Sequence, residues 1–289
     1  MYATARASSF RYTSNFARGA TSISGLGPLS DDQIRQAAPS VFAEEAHDSR
    51  SARYAYIPTA EVLRGLRAEG FEVFSATQAR TRIEDRREHT KHMLRLRHAS
   101  QLARADADSA PEIVLLNSHD GSSSYQLIGG VFRYVCANGL IVPDGVCQTV
   151  KVQHSGQVRD KVTEGAFEVL DGLTRVIDSR DSMRAVSLSD DESRVFAAAA
   201  LQLRYDDDKP APIDPAQVLR PRRLEDRAPD LWTTFNRTQE NLVRGGLRGR
   251  AANGARQSTR AVTGIDQDVK LNRALWTLAE EMRKLKVAA

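Results

Sequence analysis

The sequence holds two cysteines, Cys136 and Cys147, and neither sits in a CxxC pair, so a disulfide scaffold and a multi-cysteine zinc site are excluded. It also lacks any stretch approaching the roughly 20 apolar residues that a membrane-spanning helix needs. No GxxxxGK(S/T) loop, HExxH segment or paired-carboxylate motif is present, which argues against nucleotide hydrolysis. Acid is missing from residues 1–30, which carry Arg6, Arg11 and Arg18 among Ser, Thr and Ala. That composition fits either an organellar transit peptide or a mobile basic arm that grips phosphates or a neighbouring subunit. The want of an apolar core in this segment argues against a secretory signal.

What is present suits a soluble globular chain of one or two domains: 289 residues, 41% hydrophobic and 27% charged, enough to bury a core. Lys and Arg total 41 against 37 Asp and Glu, a net charge of +4. With a pI near 9.2, nucleic acid or another polyanion is a more natural partner than a basic protein.

Residues 1–50 read as the basic arm, 51–205 as an α+β core, 206–230 as a Pro-rich connector, and 231–289 as C-terminal helices with a mobile basic loop at 244–265. Within the core, Val62, Leu63 and Leu66 stand at helical spacing and Gly70 follows as a stop. Residues 71–82, 91–98, 112–118 and 125–135 read as strands, the last two joined by a tight turn at Asp120-Gly121. Alternation over 91–98 suits a strand half exposed to water, so the sheet should be antiparallel and covered mainly on one side. Val158, Val162, Ala166, Val169, Leu173 and Ile177 form one stripe of a long helix whose available support is that sheet. Ser189-Asp190-Asp191-Glu192 is a capping-box pattern, and Asp230 can cap a helix that ends at Gly245-Gly246. Leu271, Leu275, Leu278, Met282 and Leu285 then make a packed seam along the last helix. The fold class is therefore α+β: a twisted antiparallel sheet with a long helix packed across it, followed by a helical C-terminal part.

Three regions could carry chemistry. The first is the basic stretch Arg80, Arg82, Arg86, Arg87, Lys91, Arg95, Arg97. Strand geometry puts Lys91, Arg95 and Arg97 on one face and Arg80 and Arg82 on one face of the preceding strand, a strip that can track a phosphate backbone. The competing reading is a solvated face with cross-strand ion pairs. Arg133 and Lys151 could extend the strip, and Arg244, Arg248, Arg250, Arg256 and Arg260 could act as a mobile clamp, since no acid occurs from 241 to 265. The second region is the hairpin tip, Asn117, Ser118, His119 and Asp120 followed by Gly and Ser. With either cysteine it holds the ingredients of a nucleophile, a base and an orienting group, or it is simply turn chemistry. The third is an amide-rich face, Asn236, Gln239 and Asn241, beside Trp232 and Phe235, which read as core anchors. His89, His92 and His98 complete no recognisable metal spacing, and no metal or cofactor is expected.

The blocks NSHDGSSSYQLIGGVFRYVCANGL (117–140), LWTTFNRTQENLVRGG (231–246) and TRAVTGIDQDVKLNRALW (259–276) resemble the phage/plasmid-like family known as domain of unknown function number 932. That resemblance implies a bacterial, phage or plasmid setting and argues against the transit peptide. The order of elements is also similar, in architecture alone, to single-strand annealing proteins of the lambda Beta type, which form rings or filaments and hold single strands in a basic groove. The combined expectation is a cytoplasmic, ATP-independent single-stranded DNA-binding or annealing protein, working as a homo-oligomer without cofactor or membrane attachment. The alternatives are a counter-defence protein or hydrolase-type enzyme working through the 117–124 tip, and a self-assembling protein joined through the Trp232 and Trp276 helices.

Overall fold

The computed structural model describes residues 20–25, 27–45, 58–81, 84–104, 109–133, 139–141, 149–152, 158–205 and 208–288. Arg6, Arg11, Arg18, His47, Arg82, Cys136, Cys147 and His154 lie outside the described residues. The chain divides into two compact units, residues 1–137 with 148–171, and residues 138–147 with 172–289.

The first unit opens with β1 (Ala20–Ser24), α1 (Asp31–Ala37) and α2 (Thr59–Ala68), then β2 (Phe71–Ala79), β3 (His92–His98), β4 (Ser109–Asn117) and β5 (Tyr125–Arg133). The short strand β6 (Gly139–Ile141) falls in the second unit, and β7 (Val150–Val152) returns to the first. Strands β1 to β5 pair in sequence order, all antiparallel, and β7 pairs with β5. Part of the expected arm is thus folded: Ala20–Ser24 is an edge strand on β2, and Ser30 closes a capping box at the start of α1. As the spacing predicts, α2 buries Val62, Leu63 and Leu66 and stops at Gly70, whose φ of 88° only glycine adopts without strain.

Helix α3 (Val158–Arg184) spans both units, and its first half covers the sheet. Val158, Val162, Ala166 and Val169 are buried, and the Phe167 ring meets Phe71 edge-on at 5.4 Å. Gly165 permits a close approach, because a Cβ there would lie 2.6 Å from Val150 Cγ1 on β7. The sheet is more enclosed than alternation suggests. Strand β3 is central, lying between β2 and β4, and five of its seven residues are buried, so the half-exposed reading fails there. The link between β4 and β5 also differs from a tight turn: Leu116 pairs with Gln126, and the wider loop between the strands is closed by Ser118 Oγ, which accepts from Ser123 N at 2.8 Å.

The second unit holds α4 (Asp190–Gln202), α5 (Pro215–Val218), α6 (Leu231–Arg244), a two-stranded ribbon β8 (Arg248–Arg250) and β9 (Arg256–Ser258), and α7 (Ile265–Ala288). The caps read from the sequence are formed: Ser189 and Glu192 make a capping box, Asp230 accepts from Thr233 N, and Gly245 ends α6 with φ 63°. Trp232, Phe235 and Trp276 pack with ring centroids 5.8 to 6.1 Å apart and are buried inside this unit as core anchors. The amides of α6 are buried as well: Gln239 Nε2 donates to Asn272 Oδ1 and Asn241 Nδ2 to Val218 O, each at 2.8 Å, so that face fixes neighbouring chain rather than a ligand. The α7 seam is buried at Leu271 and Leu275 and runs out at Leu285, which is 68% exposed. Among the described residues no helix is long and apolar enough to cross a membrane.

Candidate nucleic-acid interface

The strip of guanidinium groups expected on β2 and β3 is not gathered on an open surface. Arg80 is exposed just beyond β2, and Arg86 and Arg87 are exposed on a 3₁₀ segment, Glu84–His89, rather than on a strand. Lys91 is half-buried, Arg133 is buried on β5, and Lys151 is exposed on β7. Arg95 and Arg97 are 8% and 7% exposed, and both close on the wholly buried carboxylate of Glu112 in β4. Arg95 Nε donates to Glu112 Oε2 at 2.5 Å and Arg97 Nε to Oε1 at 2.7 Å. The Arg95 guanidinium lies 3.6 Å from the centre of the Phe132 ring. That of Arg97 lies 4.0 Å from Phe74, the extra residue where the β2–β3 register shifts. A charge this deep must be paired to stay ionised, and the pairing withdraws both arginines from any phosphate.

The first residues of the hairpin tip are likewise interior, whereas Gly121 and Ser122 at its turn are exposed. Asn117, Ser118 and His119 are buried and Asp120 half-buried. The Thr59 hydroxyl, in the first turn of α2, forms the hub of a closed polar cluster. Asn117 Nδ2 donates to Thr59 Oγ1 at 3.0 Å, while His92 Nε2, His119 Nε2 and the Tyr125 hydroxyl lie 3.0, 3.2 and 3.2 Å from the same oxygen. On its other side the His92 ring meets Ser40 Oγ at 2.9 Å. Burial lowers the His92 pKa from 6.5 to about 4, offset in part by a backbone hydrogen bond at Thr90 and by the Asp120 charge, so the imidazole is neutral at physiological pH. Asn117, His92, His119 and Tyr125 each meet the Thr59 hydroxyl, and the cluster ties α2 to β3, β4 and β5. Among the described residues no group of three or more His, Cys, Asp or Glu is placed to hold a metal.

An open basic surface does exist, in the second unit, where a mobile loop was expected. The chain from Arg248 to Ser258 is an antiparallel ribbon with Arg248 opposite Ser258, Gly249 opposite Gln257 and Arg250 opposite Arg256. Asn253-Gly254 turns it: Gly254 has φ 79°, and Asn253 Oδ1 accepts from Ala255 N at 3.1 Å. That dipeptide was the sequence signal for the ribbon. The period of two puts Arg248, Arg250 and Arg256 on one face, and all three are exposed. Arg250 and Arg256 are direct cross-strand neighbours of like charge, an arrangement that costs stability unless an anion relieves it. The opposite face is pinned to the preceding connector. Arg250 N donates to Pro212 O at 2.8 Å, Gln217 Nε2 donates to Arg248 O at 2.8 Å, and a Cβ on Gly249 would fall 1.7 Å from the Pro212 oxygen. Arg244 stands apart from this face, since it pairs with the buried Glu240 at 2.9 Å, which Arg223 also holds. Gly249 and Pro212 are far apart in sequence, and nothing in either segment announces the contact.

A family model described as "Domain of unknown function (DUF932)" matches residues 46–276 of this chain. Two proteins of Escherichia coli (strain K12), "UPF0380 protein YafZ" and "UPF0380 protein YfjQ", are each 51% identical to it over 255 residues, covering 88% of the chain and 92% of the relative. No solved structure gives a significant match.

Proposed function

The chain belongs to the DUF932 family, whose description assigns no activity, and from that premise we propose that it binds single-stranded DNA through the arginine face of the β8–β9 ribbon. The observation that carries this reading is the three exposed guanidinium groups of Arg248, Arg250 and Arg256 on one face, in a segment with no acid from 241 to 265. Guanidinium groups spaced along a ribbon neutralise successive phosphates, and their planes can stack on unpaired bases. Arg260, also exposed, extends the surface, and Arg80, Arg86, Arg87 and Lys151 are among the exposed cations of the first unit. Arg95, Arg97 and Arg133 belong to the interior and take no part. Binding of this kind requires neither ATP nor metal and suits annealing by an oligomer in a bacterial cytoplasm. The enzyme reading of the 117–124 tip is less well supported, because Asn117, Ser118 and His119 within it are buried.

Replacing Arg248, Arg250 and Arg256 together by Ala tests the proposal. Mobility shifts with single-stranded and duplex oligonucleotides at about 50 and 200 mM salt should show weaker single-strand binding, with the slope of log K against log salt reduced by about 2. An unaltered affinity and slope would overturn it. Light scattering on the same samples reads the assembly size.

A further inference from the structure

Beside the ribbon, within the second unit, lies a groove of about 850 Å³ walled by Leu203, Arg204, Tyr205, Lys209, Pro210 and Pro212, the inner edge of the ribbon and the start of α7. Its volume falls in the range of small-molecule sites, about 300–1,000 Å³. Four cationic residues line it, Arg204, Lys209, Arg260 and Lys270, and among the described residues no Asp or Glu does. Such a concave, single-signed lining concentrates anions.

Arg204 is the informative member. Its Nη2 donates to the Arg260 carbonyl, and its Nη1 is buried with no partner among the described residues. A buried donor left unmade is costly, and an incoming oxyanion would recover that cost. Burial also holds the Arg204 pKa below the usual arginine value, offset in part by its interaction with Tyr205. The Tyr205 ring centre lies 5.4 Å from the same guanidinium, giving the groove a flat aromatic surface next to its charge. Amides from Gln257 on β9 and Gln267 on α7 complete the wall. Cations for a phosphate, a ring for stacking and amides for base edges together describe the parts of a nucleotide.

We propose that this groove holds one nucleoside monophosphate unit, with its phosphate on Arg204, Arg260 and Lys270 and its base against Tyr205. The inference deepens the reading of the ribbon as a single-strand surface and rests on it only for the source of the nucleotide, which is either the 5′-phosphorylated end of a bound strand or a free mononucleotide. The pinning of the ribbon by Pro212 and Gly249 fixes one wall, so the site is preformed.

The test uses the full chain, with AMP and inorganic phosphate titrated by calorimetry, and oligothymidylates with and without a 5′-phosphate followed by fluorescence anisotropy. Arg204→Met and Lys270→Met are each compared with the ribbon variant. Lys270 is exposed, so its variant keeps the proposal falsifiable if Arg204→Met fails to fold. The expected result is AMP binding that exceeds phosphate binding and falls about tenfold or more in either groove variant. The ribbon variant should bind AMP within about twofold of the parent. A 5′-phosphate that strengthens oligonucleotide binding, with the gain lost in Lys270→Met, identifies the strand end as the source; AMP binding without that gain identifies the free nucleotide. AMP binding with no oligonucleotide binding would sink the ribbon proposal and leave the groove standing. No AMP binding by the parent protein, or affinity indifferent to both groove variants, would overturn the groove itself.

Discussion

Arg97 donates through Nε to Glu112 Oε1 at 2.7 Å, and the accepting carboxylate, also shared with Arg95, has no exposure to solvent. One acid thereby keeps two cations in the interior of the sheet, each against an aromatic ring. Removing the acid should be far more damaging than removing the whole group. Glu112→Ala is expected to destabilise the first unit by about 3–5 kcal/mol, whereas an apolar triple replacement of Arg95, Arg97 and Glu112 should cost little or nothing. Urea denaturation of the two variants checks the contrast.

The neutral, buried His92 makes stability depend on pH. Because its folded pKa is depressed from 6.5 to about 4, the unfolded chain binds the proton more tightly, and stability is lost as pH falls below about 6.5 and levels off below about 4. From pH 7 to pH 5 this one group should remove about 2 kcal/mol. Thermal melts of the parent and of His92→Gln across that interval should differ, with the parent losing more; identical pH slopes would refute the assignment.

Thr59→Val preserves shape and deletes the hub oxygen. The Asn117 amide, both imidazoles and the Tyr125 hydroxyl then lose a shared partner in a site closed to water, at an expected cost of about 1–3 kcal/mol. Thr59→Ser should restore most of it. Equal denaturation midpoints for all three proteins would show the cluster to be energetically idle.

Gly249→Ala asks whether the ribbon depends on its contact with Pro212. The new methyl would collide with the Pro212 carbonyl and force the backbones apart, breaking the Arg250 N to Pro212 O hydrogen bond. The expected local cost is about 1–3 kcal/mol. Limited proteolysis should then cut within residues 248–258 faster than in the parent, with weaker single-strand binding.

Local rules carried far into this fold. The capping box at Ser189, the Asp230 cap, the Gly245 stop and the apolar stripe of α3 are each decided within a few residues, and each stands in the structure where spacing put it. The candidate site was less legible, because its decisive partners are remote. Glu112 stands 15 residues from Arg97, and Thr59 stands 58 from Asn117, so a run of arginines read as solvent-facing and a turn read as exposed were both drawn inward by groups with no local mark. The ribbon escaped for a different reason: five arginines among small residues look like a flexible segment, and the Asn253-Gly254 turn signal was not used.

The Thr59 hydroxyl carries one hydrogen and two lone pairs, room for three bonds, and four neighbours crowd it. One neighbour at any instant must turn to someone else, and the choice can rotate. This one oxygen therefore cannot satisfy all four at once, so the cluster also leans on bonds its members make elsewhere, as His92 does with Ser40.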